Sequence, residues 1–96
     1  MKTEIAGRIV EWDDNKNSLN FEKHGIDFYT AALVFADSNR LEFYDSEHSV
    51  EEDRYIVLGR VEKVLFVVYT ERGDSTRIIS GRVASKKEEQ LYYGNN

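Results

Sequence analysis

The sequence has no cysteine and no proline, and its 96 residues include one tryptophan and one methionine. Without cysteine, neither a disulfide framework nor a thiolate metal site can form. Packing and hydrogen bonds must therefore hold the fold, and the reducing cytoplasm is the natural compartment. With no proline, no low-complexity tract and no internal repeat, nothing marks a linker, so one continuous domain over residues 1–96 is expected. No apolar run approaches the roughly 20 residues needed to cross a bilayer, and charge interrupts the stretch from Lys2 to Arg8. Neither a membrane span nor an export signal is expected. Positive charge is also in deficit: 13 Lys and Arg face 18 Asp and Glu, for a net −5. That total repels a polyanion and counts against a nucleic-acid role unless the charge is unevenly spread.

It is unevenly spread. Residues 54–87 hold eight basic side chains (Arg54, Arg60, Lys63, Arg72, Arg77, Arg82, Lys86, Lys87) against Glu62, Glu71 and Asp74, a local +5 that leaves −10 elsewhere. Part of the acid is concentrated in Glu42, Asp45, Glu47, Glu51, Glu52 and Asp53, with no Lys or Arg among them. That run reads either as a solvated loop or as a surface that docks something basic.

An apolar fraction of 41% with twelve aromatics suffices for one compact core. Arg8 to Trp12 is a short β-like run, after which Asp13 or Asp14 supplies a capping acceptor for a helix from about Asp14 to Lys23. Gly25, after Lys23-His24, suits a left-handed helix stop with basic side chains against the C-terminal dipole. Phe28, Ala31, Ala32 and Phe35 fall at i, i+3, i+4 and i+7, so a second helix, capped by Asp27, is expected to run to about Ala36. The period then changes. Arg40–Tyr44, Tyr55–Arg60, Lys63–Thr70 and Thr76–Val83 are rich in β-branched and aromatic residues and predict four strands, the last three a meander through short turns. Ser85 and Glu88 have capping-box spacing for a short terminal helix that packs Leu91 and Tyr92 on the sheet. The expected fold is α+β: two N-terminal helices on one face of an antiparallel sheet of about four strands, then a short C-terminal helix.

Lys16, Asn20 and Lys23 share one face of the first helix, either as a small basic, hydrogen-bonding strip or as an ordinary solvated face. His24 and His48 are the two histidines, the residue type that moves protons near neutrality, although a lone histidine also serves in caps and packing. Arg72, Arg77 and Arg82 bracket the last hairpin and carry guanidinium forks suited to phosphate. In a regular strand Arg77 and Arg82 face opposite ways, so both can line one site only if a bulge or turn, as at Gly81, intervenes. Metal catalysis fits poorly: neither histidine has an i+4 partner that matches a metallohydrolase helix, no paired-carboxylate motif stands out, and no phosphate-binding glycine loop or nucleophile elbow is present.

The order Glu11-Trp12-Asp13, Lys16, Asn20, Lys23-His24-Gly25, Phe28, Ala32, Phe35 and Asp37 resembles the opening signature of BrnT-type toxins. Asp45, His48, Arg54, Gly59, Leu65, Val67, Tyr69, Glu71-Arg72, Arg77-Ile78-Ile79-Ser80-Gly81-Arg82, Ala84, Glu89 and Tyr92 extend the resemblance over about residues 9–93. Two positions depart from it, Ser38 where the family has proline and Gly81 where alanine is usual. The resemblance implies a RelE-like fold and a cytoplasmic bacterial ribonuclease that arrests translation. It also implies neutralisation by a BrnA-type antitoxin whose ribbon-helix-helix domain binds operator DNA, so that DNA contact comes only through the antitoxin. Homodimer and heterotetramer are both open as assemblies. Catalysis is expected from Lys23, His24, His48, Arg72, Arg77 and Arg82, with Glu71 orienting an arginine, and RNA contact from Lys16, Asn20, Arg54 and Lys86, without metal or cofactor. A non-catalytic co-repressor that binds the antitoxin is the rival.

Overall fold

The computed structural model describes residues 1–94. In chain order the elements are β1 (Lys2–Ile5), β2 (Arg8–Glu11), α1 (Asp14–His24), α2 (Phe28–Ala32), a 3-10 turn (Leu33–Ala36), β3 (Leu41–Tyr44), β4 (Tyr55–Val61), β5 (Lys63–Arg72), β6 (Ser75–Val83) and α3 (Lys86–Gly94). The six strands form one sheet in the order β1-β2-β6-β5-β4-β3.

The helix boundaries follow the expected chemistry. The Asp13 carboxylate accepts from the Lys16 amide, the Asp27 carboxylate from the Thr30 amide, and Gly25 closes α1 with φ +72°. The second helix is shorter than its apolar period suggests, because α-helical bonding stops at Ala32 and the chain tightens into a 3-10 turn. The stripe is nevertheless buried as a unit: Phe28, Ala31, Ala32 and Phe35 are all at or below 3% exposure. It packs on Val57, Leu65, Val67, Tyr69 and Ile78, the inward residues of β4, β5 and β6.

The sheet corrects the four-strand antiparallel expectation in number and in direction. Two N-terminal strands extend it: β1 and β2 form a hairpin, and β2 then lies parallel to β6, Ile9 beside Ser75 and Glu11 beside Arg77. The run Arg8–Trp12 read as β-like, but a parallel partner about 65 residues away leaves no short-range signal in sequence. Only Lys2–Ile5 carried no β pattern, being mostly polar and exposed as an edge strand is.

Two close approaches explain glycines. A Cβ on Gly59 would lie 2.6 Å from the Val34 Cβ, so the 3-10 turn sits directly on the β4 backbone. Gly59→Ala is accordingly expected to lower stability by about 1–3 kcal/mol through overpacking, read as a reduced midpoint in chemical denaturation. At Gly81 a Cβ would come within 3.0 Å of the Ala31 Cβ. Gly81 therefore serves the helix-to-sheet contact, and the bulge anticipated there lies elsewhere.

The sheet's second face is only partly covered. Tyr92 of α3 packs on Leu58 and Val64. Its hydroxyl donates to the Asp37 carboxylate, which also accepts from the Arg60 amide. Burial and the adjacent Asp37 charge push the Tyr92 hydroxyl up to about 12. Beyond α3 this face lies open, and the candidate site is there.

Candidate functional site

The ladder between β5 and β6 slips by one residue: Val68 pairs with Ser80 and Tyr69 with Ile78, leaving Ile79 as a bulge. Residues opposed across a ladder share a face, so Thr70 beside Arg77 and Phe66 beside Arg82 put both arginines on the open face. The bulge demanded by their odd spacing exists, two residues before Gly81.

A groove runs along the open face on both sides of the bulge. On one side, Lys16, Leu19, Lys23 and His24 of α1 face Ile79 and Ser80. On the other, Ile79, Ser80 and Arg82 of β6, Phe66 and Val68 of β5, and Ile56 of β4 form the floor and wall of a cavity of about 420 Å³. Its rim is the long β3–β4 connection, which contributes Asp45, Glu47, His48 and Arg54. The cavity continues outward past Val50, Glu51, Glu52 and Arg72.

That connection is closed by short bonds. The Asp45 amide donates to the Arg54 carbonyl at 2.8 Å, and the Ser49 hydroxyl donates to the Asp45 carbonyl and accepts from the Arg54 amide. Inside this closure, His48 Nδ1 lies 2.9 Å from an Asp45 carboxylate oxygen. The His48 side chain is 65% exposed and that of Asp45 only 11%. A carboxylate only accepts, so in the neutral ring Nδ1 carries the proton and Nε2 is left as the base.

The arginines divide, and the expected triplet does not converge. Arg77 donates to Glu11 at 2.7 Å, both side chains mostly covered, and does not line the groove. Arg72 reaches Glu52 at 3.5 Å on the outer rim. Arg82 is in the central cavity, its guanidinium 4.1 Å above the Phe66 ring and bonded twice to Glu88 at 2.8 and 3.0 Å. The hydrogen bond to Glu88 raises Arg82 above its ordinary value, and the same bond holds the Glu88 carboxyl below its usual range. Glu71 pairs with Arg8, not with any of these three. Among the described residues, the Lys16, Lys23, His24 and Arg54 side chains make no hydrogen bond or ion pair.

Asn20 lines the groove with the α1 strip but is largely buried: its amide nitrogen donates to the Ile26 and Gly81 carbonyls and its oxygen accepts from the Gly81 amide. In this structure the Asn20 carboxamide is spent on the backbone, at the edge of the groove that the α1 strip lines. Lys86 is exposed on α3 and does not line the groove. Sequence reasoning gave Asp45 no role in the site, although it stood in the acidic run and among the residues of the family resemblance. The Asp45-Ser-Glu-His48 spacing was the available signal, but it acquires meaning only once the loop is closed.

The profile of the family described as ribonuclease toxin, BrnT, of type II toxin-antitoxin systems matches residues 12–88. The chain belongs to the BrnT family. No curated protein matches by sequence. The crystal structure of the Brucella abortus ribonuclease toxin BrnT superposes with a TM-score of 0.63 at 24% identity, covering 88% of this chain and all of that one, a likeness of fold. As a BrnT-family toxin of a type II system, the chain has an antitoxin as its counterpart, and ribonuclease activity is the family's described chemistry. Among the described residues no three His, Asp or Glu side chains group as metal ligands, and no helix is long and apolar enough to cross a membrane.

Proposed function

We propose that this BrnT chain acts as a single-domain cytoplasmic ribonuclease that cleaves RNA in the open-face groove and is neutralised by a BrnA-type antitoxin. One observation carries the reading: an oriented histidine, His48 on Asp45, shares a cavity with two arginines, Arg54 and Arg82, one of them unpaired.

The chemistry suited to those groups is transphosphorylation. His48 Nε2 takes the proton of a ribose 2′-hydroxyl, and the freed oxygen attacks the adjacent phosphorus. The bond from phosphorus to the 5′-oxygen breaks, and that oxygen leaves with a proton from His24 across the bulge. The products are a 2′,3′-cyclic phosphate and a 5′-hydroxyl, and the need for a 2′-hydroxyl restricts the substrate to RNA. Arg54 and Arg82 stabilise the charge that grows on the phosphoryl oxygens. Lys16 and Lys23 hold the backbone of the strand as it leaves across α1, and Arg72 extends the basic path outward. Glu47, Glu51 and Glu52 on the rim oppose loose association with polyanions, and they suit docking of a basic partner segment.

The test is purified chain, freed of antitoxin, incubated with single-stranded RNA with and without EDTA. Cleavage that persists in EDTA and leaves cyclic-phosphate ends is the expected result. Intact RNA, with harmless expression of the chain alone, rejects the nuclease and supports a co-repressor that acts only through its antitoxin.

A further inference from the structure

We infer that Glu88, on the first turn of α3, is a positioning residue for RNA cleavage, holding Arg82 in the orientation that receives the phosphate. The inference rests on the groove being the RNA-cleaving site and adds a residue to it from outside the groove.

Arg82 stands near the end of β6 with its side chain 38% exposed. A long, exposed side chain samples many rotamers, and ordering it on demand costs about 2 kcal/mol of entropy. Here it is ordered in advance from three sides. Phe66 lies under its plane at 4.1 Å, the Val83 carbonyl accepts from Nη1, and Glu88 accepts from Nη1 and Nη2 together.

Glu88 is itself fixed. Its Oε1 accepts from the Ser85 amide at 2.8 Å while its own amide donates to the Ser85 hydroxyl, so the carboxylate cannot swing away without uncapping α3. The Tyr92 hydroxyl, one helical turn on, ties the same helix to Asp37.

The donor count shows what remains. A guanidinium has five N–H donors; Glu88 takes two and Val83 one, so Nε–H and the second Nη2 hydrogen are left. These two are parallel and adjacent on the side edge of the fork, the arrangement that grips two oxygens of one phosphate. Glu88 thus occupies the end of the fork and leaves the side edge free, as positioning requires. A carboxylate that competed with phosphate would have to cover that edge.

Steady-state cleavage of a short RNA by purified protein distinguishes positioning from competition and from capping. Glu88→Gln keeps the shape but loses the charge that holds the fork, so kcat is expected to fall about tenfold, the scale of a misplaced catalytic group. KM is expected to stay or fall, because a negative charge has left the edge of the groove. Ser85→Ala removes half of the cap without touching the fork and is expected to keep kcat within about twofold. In an Arg82→Ala background, Glu88→Gln is expected to change nothing further, since positioning acts only through Arg82. That double variant remains informative even if Glu88→Gln loosens α3.

An unchanged or raised kcat in Glu88→Gln overturns the inference, as does an equal fall in Ser85→Ala or a full effect in the Arg82→Ala background. Those results leave the nuclease reading standing. Wild-type protein inert on RNA removes that reading, and the inference with it.

Discussion

His48→Ala is expected to slow RNA cleavage about 10²–10⁴-fold, the range for losing a positioned general base, while RNA binding changes less than about threefold. The asymmetry follows from the site. His48 is neutral when it acts as a base, so it adds little to the electrostatic grip on phosphate, which comes from Arg54, Arg82, Lys16 and Lys23. Its proton transfer belongs to the transition state, and a group that acts only there lowers kcat without weakening substrate capture. Asp45→Asn is expected to fall between His48→Ala and wild type: an amide can present its NH2 to Nδ1, which favours the tautomer with the proton on Nε2 and removes the base from the groove. Single-turnover cleavage beside a filter-binding measurement makes the comparison. Activity in His48→Ala within twofold of wild type removes His48 from the mechanism and leaves His24 as the proton-transfer group.

The parts of this fold readable in advance were those coded by local chemistry. Asp13, Asp27, Ser85 with Glu88, and Gly25 all act within four residues of the bond they make, and each end is where those side chains place it. The buried stripe of Phe28, Ala31, Ala32 and Phe35 was likewise visible as a period. What escaped was non-local. The pairing of β2 with β6 depends on residues at opposite ends of the chain, and nothing in either strand encodes the partner.

The candidate site shows the same division. The spacing of Arg77 and Arg82 required an irregular strand, but two β-branched residues in sequence, Ile78-Ile79, give no sign of which one is extruded, and the glycine drew attention to the wrong position. Residue type marked Arg72, Arg77 and Arg82 alike as phosphate ligands. Their separate fates follow from Glu52, Glu11 and Glu88, acids brought to them by the β3–β4 connection, β2 and α3. The net charge of the segment said how much cation was present, and only the ion pairs say how much is available. Of the arginines that line the groove, Arg54 is the one whose side chain enters no ion pair among the described residues, because the loop that carries it closes through backbone and Ser49.

Asn20→Ala is expected to cost about 2–4 kcal/mol of stability, from roughly 1–3 kcal/mol for each buried group left without a partner. The reason lies in where β2 stops. Its pairing with β6 extends only from Ser75 to Arg77, so farther along β6 the amide and carbonyl on that edge have no strand to meet. At Gly81 both groups point to the same side, and the Asn20 carboxamide meets them both, donor to acceptor and acceptor to donor. One side chain thus takes the place of a neighbouring strand, and its second amide hydrogen secures the Ile26 carbonyl just after α1. Asn20→Asp is expected to be as damaging although it is the smaller change in shape, because a carboxylate keeps the bond from the Gly81 amide but faces the Ile26 and Gly81 carbonyls with no hydrogen to offer. Urea denaturation gives the free energies, and a loss under about 1 kcal/mol in both variants refutes the strand-substitute role. The same link fixes α1 beside the bulge. A variant that remains folded is therefore expected to lose cleavage in proportion to the displacement of Lys23 and His24 from Ser80.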